Sequence, residues 1–194
     1  GGTRDQFLYL CHYFSTRGLV AATVTYQLAS TANVAAAKME GSRKRICIID
    51  AKSAIRWLKE NAKELGIAAG KIIAGGGSDG GHISLLATTN PGLNDPNDPT
   101  AYETSVAAYL LFTPALSTND TKDPEGDFLQ HINEDFPPAI VFFGSEDKWL
   151  HNGWNAAKET IASLGLDDTI DLWIANGQGH SFFNKQPWAD ITIT

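Results

Sequence analysis

Residues 71–86 read KIIAGGGSDGGHISLL, a short apolar run that enters a glycine-rich turn and opens onto a helical pattern. Inside it, Gly76-Gly77-Ser78-Asp79-Gly80 matches G-x-S-x-G. That pattern has a mechanical reason. A serine held on a sharp turn between strand and helix is strained and exposed, and glycines two residues to either side let the two elements approach without Cβ clashes. The helix N-terminus then places partial positive charge beside the hydroxyl, and the amide of the following residue, Asp79, points at a developing oxyanion. A glycine turn that binds nothing is the plainest competing reading. A phosphate loop is weaker, because GGGSDGG lacks the Lys-Ser/Thr ending of a P-loop, and a dinucleotide fingerprint belongs near the first strand of a sheet.

Outward from this turn, strand and helix patterns alternate, which predicts a mostly parallel sheet with helices on both faces. Residues 5–16 read as a helix ending near Gly18, and Leu19–Tyr26 (LVAATVTY) as a strand. Residues 29–47 look irregular. Asp50 to Leu65 carries an apolar face of Ala51, Ala54, Ile55, Leu58, Ala62 and Leu65, with Asp50 placed to cap it and Gly66 to end it. Further strands are expected at Lys71–Ala74, Val106–Phe112, Ala139–Phe143 and Thr169–Ile174. Helices are expected from Asp79 or Gly80 through Leu86 and over Trp154–Leu164. The turn-rich segments 90–104 and 117–136 are expected to form loops, the second with a short helix.

Two more chemical groups fall at strand ends. Gly144-Ser145-Glu146-Asp147 follows AIVFF, and Gly177-Gln178-Gly179-His180 follows DLWIA. Alone, the first is more often an acidic turn and the second an exposed loop histidine. Together with Ser78 they occur in the order Ser, Asp, His, each after a predicted strand, so all three should lie on one edge of a parallel sheet. Ser78 as nucleophile, His180 as base and Asp147 as the group that fixes the imidazole tautomer is the expected set. Glu146 is the nearest substitute acid.

These motifs, with GTRDQF, RGLVAATVTYQLA, DAKSAIRWLKENAKELGI, PPAIVFFGSEDKW and WIANGQGHSFFN, resemble the esterase/lipase branch of α/β-hydrolases. That branch includes hormone-sensitive-lipase-like carboxylesterases and bacterial feruloyl- and acetyl-esterase-like enzymes, and the resemblance covers nearly the whole chain. It implies an α/β-hydrolase fold, a three-layer α/β/α sandwich with a mostly parallel sheet, no cofactor, and the Ser78, Asp147, His180 triad. The chain departs from the pattern in four places. Gly2-Thr3 aligns just after the family's HGGG-type oxyanion loop, which places that loop and the first strands ahead of this chain; Gly1-Gly2 as the loop's last glycines is the other alignment. The final helix of the family would follow Thr194. Asp79 replaces a small or apolar residue, and Gln27 stands where many relatives have arginine. The chain is thus expected to be a single domain lacking the N-terminal strands, the oxyanion loop and the last helix, and to be a poor catalyst beside its full-length parent.

Composition limits the alternatives. The 194 residues suit one domain, and the formal charge of −7 argues against a nucleic-acid groove, which needs a basic stripe. No stretch is apolar enough to span a bilayer. Cys11 and Cys47 are expected to be buried free thiols, and no His/Cys/carboxylate set has metal-ligand spacing. His82 is expected to pack rather than react, His12, His131 and His151 show no partner spacing, Trp149 is expected either to line the pocket or, at least as readily, to be a plain core aromatic, and Phe182-Phe183 should pack under the histidine loop. Asp79 is expected to point to solvent.

Hydrolysis of a small-molecule carboxylic ester with a short acyl group is the expected function. A prolyl-oligopeptidase-type peptidase shares the core and triad order, and a non-catalytic scaffold of the same fold is the rival from another class. The sequence leaves the oligomeric state and compartment open.

Overall fold

A computed structural model describes residues 3–28, 44–116, 118 and 123–192. The chain begins among the described residues with a single 3₁₀ turn, Arg4–Phe7, which leads into helix α1 (Leu8–Ser15). Gly18 ends this unit at φ 81°, as its glycine allows.

Helix α2 runs Lys44–Glu60, and a break at Asn61 leads into the single turn α3 (Ala62–Leu65), closed by Gly66 in the left-handed region. The helix therefore starts earlier than Asp50. Ile46, Cys47 and Ile48 are buried, so the apolar face continues one and a half turns upstream of the expected cap. Asp50 instead sits inside the helix and accepts hydrogen bonds from the Gln27 backbone and side-chain amides. Of the segment expected to be irregular, residues 29–43 lie outside the described residues.

Four strands follow: β1 (Ile73–Gly77), β2 (Ala108–Phe112), β3 (Ala139–Gly144) and β4 (Ile170–Ala175). They form one parallel sheet in the order β1-β2-β3-β4. Between them lie α4 (Asp79–Thr89), a π-turn (Leu150–Trp154) running into α5 (Asn155–Ser163), and, after β4, the short α6 (Trp188–Ile191). Strand β1 is displaced from the expected Lys71–Ala74 into the glycine run. Glycine is tolerated there because the strands lie close: a Cβ on Gly75 would sit 2.1 Å from the Leu110 carbonyl oxygen.

Leu19–Tyr26 joins no ladder among the described residues. Its Val- and Thr-rich composition favours the strand conformation, yet a strand is completed only by a hydrogen-bonded neighbour. Leu19, Val20 and Val24 are correspondingly exposed.

The main core lies between one sheet face and helices α2, α4 and α5. Ile48 and Ile55, Leu85 and Leu86, and Trp154 and Ile161 meet Tyr109, Leu111, Val141 and Phe143 of the strands. Each such side chain contributes about 1.5–3 kcal/mol when fully buried. The opposite face carries Ile140 and Trp173, both substantially exposed, and borders a cleft of about 2670 Å³ that α1 and residues 19–26 line from the other side. Lys52 fastens the layers. Its buried ammonium donates to the Asn90 and Gly92 carbonyls, each at 2.5 Å, and burial together with nearby Arg56 pulls its pKa down to about 8. No helix among the described residues is long and apolar enough to cross a membrane.

Candidate active site

The C-terminal ends of β1, β3 and β4 converge on one edge of the sheet. Ser78 follows β1 directly with φ 55° and ψ −123°, a backbone that side-chain-bearing residues rarely adopt. Bonds on both sides of the residue hold it there. Its amide donates to the Phe112 carbonyl at 3.0 Å, and its carbonyl accepts from the Ala115 amide at 3.0 Å. The glycines around it divide the work differently from the sequence expectation. A Cβ on Gly76 would lie 2.8 Å from the Gly80 carbonyl carbon, whereas one on Gly80 would meet open space. On the helix side it is Gly81 that cannot be enlarged, since its Cβ would lie 2.9 Å from the Pro114 Cβ.

Asp147 lies in the turn after β3 and is 1 % exposed. Its Oδ1 accepts from the Trp149 amide at 2.9 Å, which leaves Oδ2 for His180 Nδ1 at 2.8 Å. His180 Nε2 in turn lies 2.8 Å from Ser78 Oγ. With the proton on Nδ1 donated to the carboxylate, Nε2 presents its lone pair to the serine hydroxyl. Ser78, His180 and Asp147 are thus brought into one hydrogen-bonded line, while Glu146 is exposed and points its amide, not its carboxylate, into this region by donating to the Gln178 carbonyl.

The loops carrying Asp147 and His180 are zipped together. The Ser145 amide donates to Ala175, the Glu146 amide to Gln178, and the Gly177 amide to Ser145 Oγ. Gly144 permits this approach: a Cβ there would lie 2.1 Å from the Gln178 carbonyl oxygen. After His180 the chain turns through Ser181 at φ 67° and buries Phe182 and Phe183. Phe183 packs on Phe112 with ring centroids 5.1 Å apart, beside Gly77. The aromatic pair therefore supports the histidine loop from below, as expected.

The amides of Asp79 and Gly80 open α4. First-turn amides have no intrahelical acceptor, so this end can face an anion. Gly1 and Gly2, the other residues weighed for an oxyanion loop, lie outside the described residues.

Three outlying residues have distinct surroundings. Trp149 packs against the main core and under the Lys148 ammonium, which lies 4.8 Å from its ring centre, and it does not line the cleft beside Ser78. Cys47 is buried and its Sγ donates to the Gln27 carbonyl at 3.2 Å, but Cys11 is only half-buried, because α1 borders the open cleft; neither is joined in a disulfide. Asp79 is well exposed, yet its Oδ1 lies 3.1 Å from Lys44 Nζ, so it is paired rather than simply solvated. Two histidines dismissed for want of spacing have partners: His131 Nε2 lies 3.2 Å from Asn90 Nδ2, and His151 Nε2 lies 3.0 Å from the Ser145 carbonyl oxygen. His82 is fully buried, as expected. Burial and the Lys44 ammonium push its pKa down to about 3.

With this geometry in hand, the comparison with known proteins is direct. The BD-FAE family model matches residues 3–113, more than half of the chain. The chain belongs to the BD-FAE family. It is also similar to the probable carboxylic ester hydrolase LipM of Mycobacterium tuberculosis, with 32% identity over 129 residues. That match takes in 52% of this chain and 30% of LipM, so the chain spans well under half of that relative's length. Among solved structures, esterase 2 of the planctomycete Thermogutta terrifontis superposes on 100% of this chain and 74% of its own, with a TM-score of 0.85 and 29% identity. The same esterase phosphorylated by paraoxon gives a TM-score of 0.86 at 29% identity, again over 100% of this chain and 74% of its own. Both this likeness and the parallel sheet flanked by helices make the fold that of the α/β-hydrolases.

Proposed function

We propose that this BD-FAE member is a serine carboxylesterase acting on esters with short acyl groups. The observation that carries the reading is the line Asp147–His180–Ser78, with 2.8 Å at both contacts, built on a strained elbow. In the proposed cycle His180 takes the Ser78 proton as Oγ attacks the ester carbonyl. Asp147 stabilises the imidazolium, and the Asp79 amide donates to the oxyanion. His180 then protonates the leaving alcohol. Water, activated by the same imidazole, releases the acid and restores Ser78.

Several features support this reading. The chain is read as one hydrolase domain because a single large core joins helices α2, α4 and α5 to all four strands. The esterase it resembles forms a phosphorylated species with paraoxon, as a nucleophilic serine would. Structures of that esterase with propionate and with butyrate bound support the short-acyl part. A second oxyanion donor is proposed to come from the loop ahead of the first helix, as the fold requires.

The test is a chain-length series of p-nitrophenyl esters from acetate to decanoate, run beside a chromogenic peptide amide. The reading expects kcat/KM to peak at acetate to butyrate, with negligible amide cleavage. A peak at long chains overturns the short-acyl assignment, and preferential amide cleavage overturns the esterase reading.

A further inference from the structure

The elbow helix carries an arrangement that the proposed acyl transfer does not use. Lys44, in the first turn of α2, reaches across to the first turn of α4. Its Nζ lies 3.1 Å from Asp79 Oδ1 and 2.9 Å from His82 Nδ1. Asp79 and His82 are three residues apart and therefore share one face of that helix. The ammonium is thus fastened at two points to the turn whose first amide faces the oxyanion.

His82 is suited to be the fixed end. It is fully buried, with its Nε2 enclosed and the Gly126 backbone close to the ring. An ammonium can only donate, so His82 Nδ1 must accept, which requires the neutral imidazole with its proton on Nε2. Asp79 is the solvent-facing end, its side chain 58% exposed. Its carboxylate reaches beyond this contact: it helps raise the pKa of the Tyr26 hydroxyl and of the Cys47 thiol, whereas Lys44 acts on Cys47 in the opposite sense. An uncompensated carboxylate one residue from Ser78 would oppose the negative charge that builds on the oxyanion.

We propose that Lys44 is a positioning residue for the acyl-transfer step: held by neutral His82, it pins the Asp79 carboxylate and cancels its charge beside the oxyanion site. The proposal rests on Ser78 being the nucleophile. Its consequence is conditional. Removing the Lys44 charge should slow the reaction only while Asp79 is ionised.

The test is a double-mutant cycle in the intact protein, read as kcat and KM on p-nitrophenyl acetate and as the rate of Ser78 phosphorylation by paraoxon. Lys44→Met removes charge and hydrogen bonding, and Lys44→Gln removes the charge alone. Both are expected to lower kcat and the phosphorylation rate by about tenfold with little change in KM. In an Asp79→Asn background the same substitutions are expected to cost less than about threefold. Equal losses in both backgrounds would make Lys44 a structural prop and overturn the proposal. Unchanged rates in Lys44→Gln and Lys44→Met would also overturn it while leaving the esterase reading intact. If paraoxon does not modify Ser78 in the wild type, both readings fall together.

Discussion

His180 Nε2 stands 2.8 Å from Ser78 Oγ across 102 residues of sequence, and the contact exists because β1 and β4 end on the same edge of a parallel sheet. Neither residue reaches the other through local structure. Ser78 is presented by a backbone fixed to Phe112 and Ala115, and His180 by a loop clasped to the turn that carries Asp147. The chemistry therefore depends on two clamps, and each can be loosened separately.

Replacing the acid tests the bond that orients His180. Asp147→Asn keeps the size of a side chain that is 1 % exposed but can turn an amide N–H toward His180 Nδ1, favouring the wrong tautomer. The expected result is a fall in kcat of about 10⁴-fold, the size such a change has in a serine-protease triad. Steady-state kinetics on p-nitrophenyl butyrate checks it. A loss below about tenfold would mean that another carboxylate orients the ring.

Gly144→Ala tests the second clamp. The new Cβ would sit 2.1 Å from the Gln178 carbonyl oxygen, so the histidine loop has to move. Activity is expected to fall at least about 10²-fold, because a shift near 1 Å misplaces the base. The melting temperature should also fall, and circular dichroism read alongside the kinetics follows both. Gly80→Ala is the control: its Cβ meets open space and should disturb the fold little.

Acid sensitivity should trace to His82. Its folded pKa, about 3, lies below the ordinary 6.5, so the unfolded chain takes up a proton before the folded one does. The stability this neutral imidazole contributes is present above pH 6.5 and is lost as pH falls toward 3. His82→Gln is expected to be less stable at neutral pH yet to lose less stability between pH 6.5 and 4.5 than the wild type. Urea midpoints at those two values decide it.

Lys52 should act in the opposite pH range. Its folded pKa of about 8 lies below the ordinary 10.5, so between these values the unfolded chain binds more protons and stability rises with pH. A neutral amine still offers two N–H groups to the Asn90 and Gly92 carbonyls. Relative to Lys52→Met, the wild type is expected to gain up to about 3 kcal/mol between pH 8 and 10.5. Parallel denaturation curves across that range check it.

The sequence made the proposed reacting residues visible because each follows a strand whose apolar run is plain, and because Ser78 sits in a glycine pattern with a mechanical meaning. The four paired strands and α4 were legible for the same reason. Other features depend on partners that local pattern does not encode. Asp50 looks like a helix cap, but the buried Ile46–Ile48 run extends the helix past it. Leu19–Tyr26 has the composition of a strand and no ladder among the described residues. Lys44, Asp79 and His82 meet across 35 to 38 positions, and nothing in RKR or in GGSDGGH announces that contact. Trp149 follows the acid closely enough to suggest a pocket wall, yet its ring turns to the core.

The central claim is that Ser78 is the nucleophile of an esterase. The most direct measurement is intact-protein mass with peptide mapping after exposure to paraoxon, followed in step with p-nitrophenyl butyrate turnover. The account predicts one diethylphosphoryl group per chain on Ser78, loss of turnover in proportion to labelling, and neither labelling nor turnover in Ser78→Ala. Label on another residue, or turnover that survives full modification of Ser78, would contradict it.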